Sequence, residues 1–330
     1  MTEISIIIPC LNEGNYIAAC IDSINRSGLE SYELIFVDGG SSDATAEIIQ
    51  RYQDIHIKLL YNPRKFTPIS MNIGIKASTG KYIFIISAHA EYPKSYFSDL
   101  AAYIKKFNAN CVGGVLITEV KNKNPKSIAI KKVLTDRLGV GNADFRTGVD
   151  KVKKVDTVAF GCYSRETFEE YGLYDERLVR NQDIEINKRI VHGGGSIYLV
   201  PSVRAVYYAR ETFTELARNQ YQNGCWNILT IYYTKTFASL SLRHFVPLLF
   251  LLSLLLPLLF TVAYPKLAWF TFLSLVSYLT LVIIMSFRLK ERWIDLPYLV
   301  GAFLTLHLFY GLGSLAGLFT VVKKIIKGKM

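Results

Sequence analysis

The chain has 330 residues, enough for two domains, and its composition changes sharply along its length: apolar residues make up 51% of the whole and run almost unbroken after Phe245. A formal net charge of +11 is scattered, with clusters at Lys121–Lys132, Lys151–Lys154 and Lys323–Lys329. No zinc-finger spacing or RNA-binding signature accompanies it, which disfavours nucleic acid and leaves anionic substrates or a membrane face. The five cysteines, Cys10, Cys20, Cys111, Cys162 and Cys225, share no metal-type spacing and are expected as reduced thiols. MTEISIIIPCLNE carries no basic leader and its apolar run is short for a signal peptide, so the first domain is expected on the cytoplasmic side.

ISIIIP, Ile4 to Pro9, is a β-branched, near-continuous apolar run of the kind that forms a strand buried on both faces. Asn15 to Arg26 has helical period, and YELIFVD, Tyr32 to Asp38, is a second buried strand ending in a carboxylate. Gly39 and Gly40 then turn the chain into a helix through Tyr52, which Ser41, Ser42 or Asp43 can cap. HIKLLY, His56 to Tyr61, reads as a third strand, SMNIGIKAST as a helix and KYIFIIS as a fourth strand. This alternation predicts an α/β fold with a mostly parallel sheet and helices on both faces.

Ligands of such sheets bind beyond the carboxyl ends of the strands. Those ends are Pro9 to Glu13, Asp38, and Ser87-Ala88-His89, the last followed by Glu91. Neither a G-x-G-x-x-G nor a P-loop pattern follows the first strand, so a nucleotide held here needs side chains and often a divalent cation.

"SIIIPCLNE", "IFVDGGSSDAT", "SMNIGIKASTG" and the strand end at Ser87 resemble, in that order, the family 2 glycosyltransferases. "VDTVAFGCYSRETFEEYGLYDERLVRNQDIEINKRIVHGGG" and the later "QYQNGCWN" resemble its membrane-attached, succinoglycan-type exopolysaccharide branch. The resemblance runs from about Ile4 to Trp226. It implies a GT-A fold and an inverting transfer from a UDP-sugar to a polyprenyl-diphosphate-linked glycan. In the donor site, Pro9, Leu11 and Glu13 would line the nucleoside and Asp38 would accept from the uracil imide. Asp38 is also a natural cap for the turn that follows it. Arg64 would reach the base or phosphates, or stay a surface arginine, and Asn72 would return to the strand tips or cap a loop.

Asp183 in "RNQDIEINKR" matches the family's catalytic base; its plain alternative is a dipole-favouring carboxylate at a helix start. Glu185 falls about 200° around the helix from it and is expected to meet acceptor or a basic neighbour. Gln182 and Gly161 match the acceptor side, as do Gln220, Tyr221 and Trp226, although the two aromatics also suit a bilayer interface. In the family the fourth strand ends in an Asp-x-Asp-like motif that meets ribose and metal. Here the positions are Ser87 and His89, with Glu91 a further candidate ligand. Histidine favours Mn²⁺ over Mg²⁺, and the site is expected to bind metal weakly.

Three apolar segments follow, Phe245 to Tyr264, Leu267 to Phe287 and Leu296 to Val322, each long enough to span a bilayer. The expected division is 1–225 enzyme domain, 226–243 interfacial segment and 244–330 membrane helices, in a multi-pass protein of the cell membrane in contact with its lipids. Three spans would put Lys323, Lys324, Lys327 and Lys329 outside, against the positive-inside tendency. The glycines Gly301, Gly311, Gly313 and Gly317 suggest a third segment that breaks and re-enters or lies at the interface. The processive synthases' Q-x-x-R-W block reads QYQNGCW here, so one sugar per encounter is expected. A polyprenyl-phosphate sugar synthase and a membrane-anchored binding protein with weakened catalysis are the alternatives.

Overall fold

The computed structural model describes residues 2–52 and 54–328. In chain order the elements are β1 (Ile4–Cys10), α1 (Ile17–Asn25), β2 (Tyr32–Asp38), α2 (Thr45–Arg51), β3 (Ile57–Tyr61), α3 (Thr67–Ala77), β4 (Tyr82–Ile85), β5 (Ala90–Glu91), α4 (Tyr96–Phe107) and β6 (Cys111–Glu119). Next come α5 (Pro125–Val133), α6 (Arg137–Val140), α7 (Asp144–Thr147), β7 (Lys153–Lys154), β8 (Cys162–Ser164), α8 (Arg165–Tyr171), α9 (Gln182–His192) and β9 (Ile197–Tyr208). The chain ends in α10 (Phe213–Thr234), two short 3-10 turns, α11 (Val246–Leu259), α12 (Leu267–Leu289) and α13 (Asp295–Ile326). These elements form two compact units, Met1–Ile117 with Asp144–Tyr208 and Thr118–Ala143 with Ala209–Met330.

The first unit is built on one mixed sheet in the order β3-β2-β1-β4-β8-β6-β9-β5, with β7 on β9. β1 pairs in parallel with β2 and β4, and β2 with β3. Parallel neighbours need crossovers, and α1, α2 and α3 supply them. Both faces are therefore covered, which is why these strands read as continuous apolar runs: Ile6, Ile7, Ile8 and Leu34 to Val37 are all fully buried. Ile4, Ile6 and Ile8 enter one core cluster and Ile7 the other, the period of two that a strand imposes. The far half of the sheet is antiparallel, with β8 joining β4 and β6. The parallel register levels Cys10 with Asp38 at one edge.

In the second unit α5 buries Ala129, Ile130 and Val133 in a cluster with Leu216 of α10, Val282 of α12, and Leu299, Ala302, Phe303 and Leu306 of α13. A linear division at 225 and 243 therefore cuts through α10 and separates α5 from the helices it packs on. Trp226 to Thr234, the first part of the expected interfacial amphipathic segment, completes α10. α13 is one unbroken helix of 32 residues, so the expected break at its glycines does not occur. Those glycines serve close packing instead: a Cβ on Gly313 would collide with the Tyr221 carbonyl of α10, and one on Gly317 with that of Cys225. Among the described residues three helices, Leu242–Leu259, Leu267–Leu289 and Asp295–Ile326, are long and apolar enough to cross a membrane. Lys329 lies outside the described residues.

Candidate active site

A cavity of about 400 Å³ opens at the carboxyl ends of β1 and β4. Eight of the residues singled out from the sequence line it together: Pro9, Leu11, Glu13, Ser87, His89, Gly161, Gln182 and Asp183. The backbone around it is unusual. Among the described residues six non-glycine positions have positive φ; Lys65 at 65° and Phe160 at 52° line this cavity, and Asn12 at 57° and Asn181 at 61° are next in the chain to residues that do. L-residues hold that conformation only where the surroundings impose it, and such positions cluster at functional sites. At Phe160 the buried Tyr96 hydroxyl imposes it by donating to the carbonyl at 2.8 Å.

His89 Nδ1 sits 3.2 Å from both Glu13 Oε1 and Ser87 Oγ. The carboxylate can only accept, so Nδ1 carries a proton, which in the neutral imidazole leaves Nε2 its lone pair. Tyr16 stands edge-on to the imidazole at 6.2 Å and Tyr207 tilts against it at 5.6 Å, which fixes the ring plane. A histidine oriented through one nitrogen by a carboxylate is suited to ligate a metal through the other. Among the described residues, no three His, Cys, Asp or Glu side chains converge as a metal cage. The donor set thus fits a cation held mostly by substrate phosphates and water. Glu91 lies outside the cavity lining and accepts from Tyr208 at 3.0 Å.

Asp183 is the second residue of α9, entered through the left-handed Asn181. Burial beside Tyr163 and Tyr174 pushes its carboxyl above the usual range, against the Ile184 N–H at 2.9 Å and the field of Arg146. Its neighbour Gln182 has a buried side-chain oxygen without a hydrogen-bond partner among the described residues. A bound hydroxyl would satisfy it. Gly161 has no room for a side chain, since a Cβ there would lie 2.8 Å from Cys111 Sγ. Burial and the nearby Asp38 raise the Cys10 thiol at the cavity wall to about 12, so it stays protonated.

Other expected residues have different surroundings. The Asp38 carboxylate accepts from the N–H groups of Gly40 and Ser41 at 3.1 Å, closing the turn after β2. Arg64 is tied to Glu176 at 2.8 Å. Asn72 is buried and pairs with both the N–H and the carbonyl of Tyr174, at 3.0 and 2.9 Å, so it fixes a cavity wall from behind. Glu185 pairs with Arg189 one turn along α9. Gln220, Tyr221 and Trp226 belong to α10 of the second unit, where Tyr221 lines a groove of about 470 Å³ with Arg218 and Phe309. Lys65, Tyr163, Tyr174 and Arg146 were not singled out from the sequence. Only Lys65 had a visible signal, its position beside Arg64 after the third strand.

Comparison with known proteins gives this geometry its setting. The model of "Glycosyl transferase family 2" matches residues 5–172, about half of the chain. The dolichyl N-acetyl-alpha-D-glucosaminyl phosphate 3-beta-D-2,3-diacetamido-2,3-dideoxy-beta-D-glucuronosyltransferase of Methanococcus voltae is 29% identical, over 68% of this chain and 72% of its own length. The succinoglycan biosynthesis protein ExoA of Rhizobium meliloti is 28% identical, over 65% of this chain and 66% of its own. The crystal structure of GalNAc-T7 with UDP, GalNAc and Mn²⁺ superposes with a TM-score of 0.50 at 19% identity, covering 64% of this chain and 44% of that one, a likeness of GT-A fold. The chain belongs to glycosyl transferase family 2 and is a glycosyltransferase.

Proposed function

We propose that this enzyme moves one sugar, with inversion, from a UDP-sugar to a polyprenyl-diphosphate-linked glycan at the cytoplasmic face of the cell membrane, in exopolysaccharide or surface-glycan synthesis. The observation that carries the reading is a half-buried carboxylate of raised basicity, Asp183, sharing one cavity with the strand-end pair His89 and Glu13. The relatives' names, one a dolichyl-phosphate-sugar transferase and one a succinoglycan protein, support a lipid-linked acceptor. The three long apolar helices support action at a membrane.

Asp183 takes the proton of the acceptor hydroxyl as that oxygen bonds to the anomeric carbon. The bond from that carbon to the diphosphate oxygen breaks, and its electron pair leaves with the diphosphate. A base opposite the leaving group makes this a single displacement, hence inversion. The raised pKa makes Asp183 a stronger base than an exposed carboxylate. Gln182 Oε1 would accept from a neighbouring hydroxyl of the acceptor sugar and so keep the sugar aligned, the attacking hydroxyl's one proton going to Asp183. Nε2 of His89 would hold a divalent cation, with Mn²⁺ preferred because imidazole suits it better than Mg²⁺. When bound, such a cation supplies charge neutralisation at the leaving diphosphate.

Incubating purified protein with UDP-sugars, Mn²⁺ and a short polyprenyl-diphosphate-linked acceptor tests the proposal. The expected product has the anomeric configuration opposite to the donor's, read by NMR, and Asp183→Asn forms none. Transfer to bare polyprenyl phosphate would make the protein a lipid-phosphate-sugar synthase instead. Neither hydrolysis nor transfer with any donor would make it a binding protein.

A further inference from the structure

We infer that Lys65 is a diphosphate-binding residue of the donor site, aimed into the cavity by the buried side chain of Asn62. The inference rests on the UDP-sugar reading above and adds a residue to it.

Five residues, Asn62-Pro63-Arg64-Lys65-Phe66, link β3 to α3. Asn62 is fully buried and organises them. Its backbone N–H donates to the Asp38 carbonyl at 2.7 Å. Its side-chain nitrogen donates to the Phe66 carbonyl at 3.0 Å and to Ser70 Oγ at 2.9 Å, and its side-chain oxygen accepts from the Arg64 N–H at 3.0 Å. The Lys65 N–H then closes the turn on the Asn62 carbonyl at 3.2 Å. This clamp holds Lys65 at φ 65°, and the left-handed step separates two adjacent cations. Arg64 turns to Glu176, whereas Lys65 lines the cavity.

Lys65 has no acidic partner among the described residues, and it is the one lysine or arginine in the lining. The lining also carries Glu13 and Asp183, with uncharged Ser87 at the strand end. An arriving diphosphate brings more negative charge into that cavity and needs a countercharge. A lysine ammonium on a flexible stem meets phosphate oxygens as a point charge without demanding one geometry.

Titration calorimetry with UDP and with uridine, on wild type, Lys65→Ala, Lys65→Arg and Arg64→Ala, tests the inference without any turnover. Lys65→Ala is expected to weaken UDP tenfold or more and leave uridine unchanged, because only the phosphates lose a partner. Lys65→Arg should recover UDP binding to within about threefold, the size of effect expected when a charge-assisted contact is kept but reshaped. Arg64→Ala should stay within about twofold, since its guanidinium pairs with Glu176. Unchanged UDP affinity in Lys65→Ala, or an equal loss for uridine and UDP, overturns the assignment. Wild-type protein that binds no UDP at all refutes the donor reading and takes this assignment with it.

Discussion

His89 and Glu13 meet Nδ1 to Oε1 at 3.2 Å, one from the turn after β4 and the other from the turn after β1. The contact arises from topology. Parallel pairing of β1 with β4 brings their carboxyl ends to one edge, and the two turns beyond those ends face the same space. The family resemblance implies a carboxylate at the last position of the strand-end motif. This chain has an imidazole there with a carboxylate behind it. Negative charge has moved one step away from the position expected to meet metal, so the pair should bind a cation more weakly than a carboxylate cage.

Substitution at each member of the pair separates their roles. His89→Ala removes the nitrogen and should abolish Mn²⁺-stimulated transfer. Glu13→Gln keeps the shape but weakens the hold on the Nδ1 proton, and should raise the Mn²⁺ concentration for half-maximal activity about tenfold, the usual range for such partners. Titrating Mn²⁺ against initial rate checks both. Full activity in His89→Ala would falsify the assignment.

Asp183 links activity and stability with opposite signs. Its pKa is raised in the fold by burial, so the protonated form is the one the fold favours. The stabilisation is complete below the ordinary carboxylate pKa and is lost as pH rises through the raised value. At neutral pH the working base is therefore a cost to the fold. Asp183→Asn should abolish transfer yet raise Tm at pH 7, and the gain should shrink as the buffer approaches pH ~4, near the ordinary carboxylate pKa. In the wild type, kcat should climb with pH across the raised pKa. A variant that loses both activity and stability at pH 7 would show Asp183 to be structural.

β1, β2 and β4 were legible because burial on both faces makes them near-continuous apolar runs, and the cavity residues at their tips could be read from strand direction alone. The antiparallel half was not. β5, β7 and β8 have two, two and three residues, too short to show a period. The reversal of Arg64 and Lys65 was hidden for another reason: it depends on where one buried asparagine sends its hydrogen bonds, which neither propensity nor pattern encodes. α5 was not read as an element at all: it lies in the lysine cluster Lys121–Lys132, yet it buries Ala129, Ile130 and Val133 in the second unit.

At the opposite end of the β-strands from the cavity, Glu33 ties four segments together. It accepts from Ser5 Oγ, Lys58 Nζ and the N–H and hydroxyl of Thr79, at 2.6 to 2.8 Å. Burial alone would raise its pKa, but these bonds prevail and hold it at about 2. A depressed carboxylate contributes stability above its ordinary pKa of 4.5 and loses it as pH falls toward about 2. Glu33→Gln should cost about 2 kcal/mol near neutrality, the scale of a charge-assisted buried bond. Denaturant midpoints of the two proteins should converge as pH approaches 2. A constant gap down to that pH would refute the charge as the cause.

α13 is long and apolar enough to span a membrane but does not pack like its neighbours. In its most apolar window 44% of the residues are buried within the protein, against 11% and 6% for the other two candidates. The burial comes chiefly from α10, which runs parallel to it: Phe213 meets Gly301, Tyr221 meets Gly313, Cys225 meets Gly317, and Lys324 lies 5.5 Å over the Tyr233 ring. α10 exposes Glu215, Arg218 and Gln222, and charges at bilayer depth cost ~3 kcal/mol or more each. A helix fastened along such a partner is expected to lie with it at the interface, leaving α11 and α12 to cross as a hairpin. That arrangement keeps Lys323, Lys324 and Lys327 on the same side as the basic link Arg288 to Arg292, as the positive-inside tendency requires. In a Cys225→Ser background, Lys324→Cys and Glu291→Cys should resist a membrane-impermeant maleimide applied to intact cells, whereas Lys266→Cys at the hairpin tip should react. Labelling of Lys324→Cys from outside would mean that α13 crosses after all.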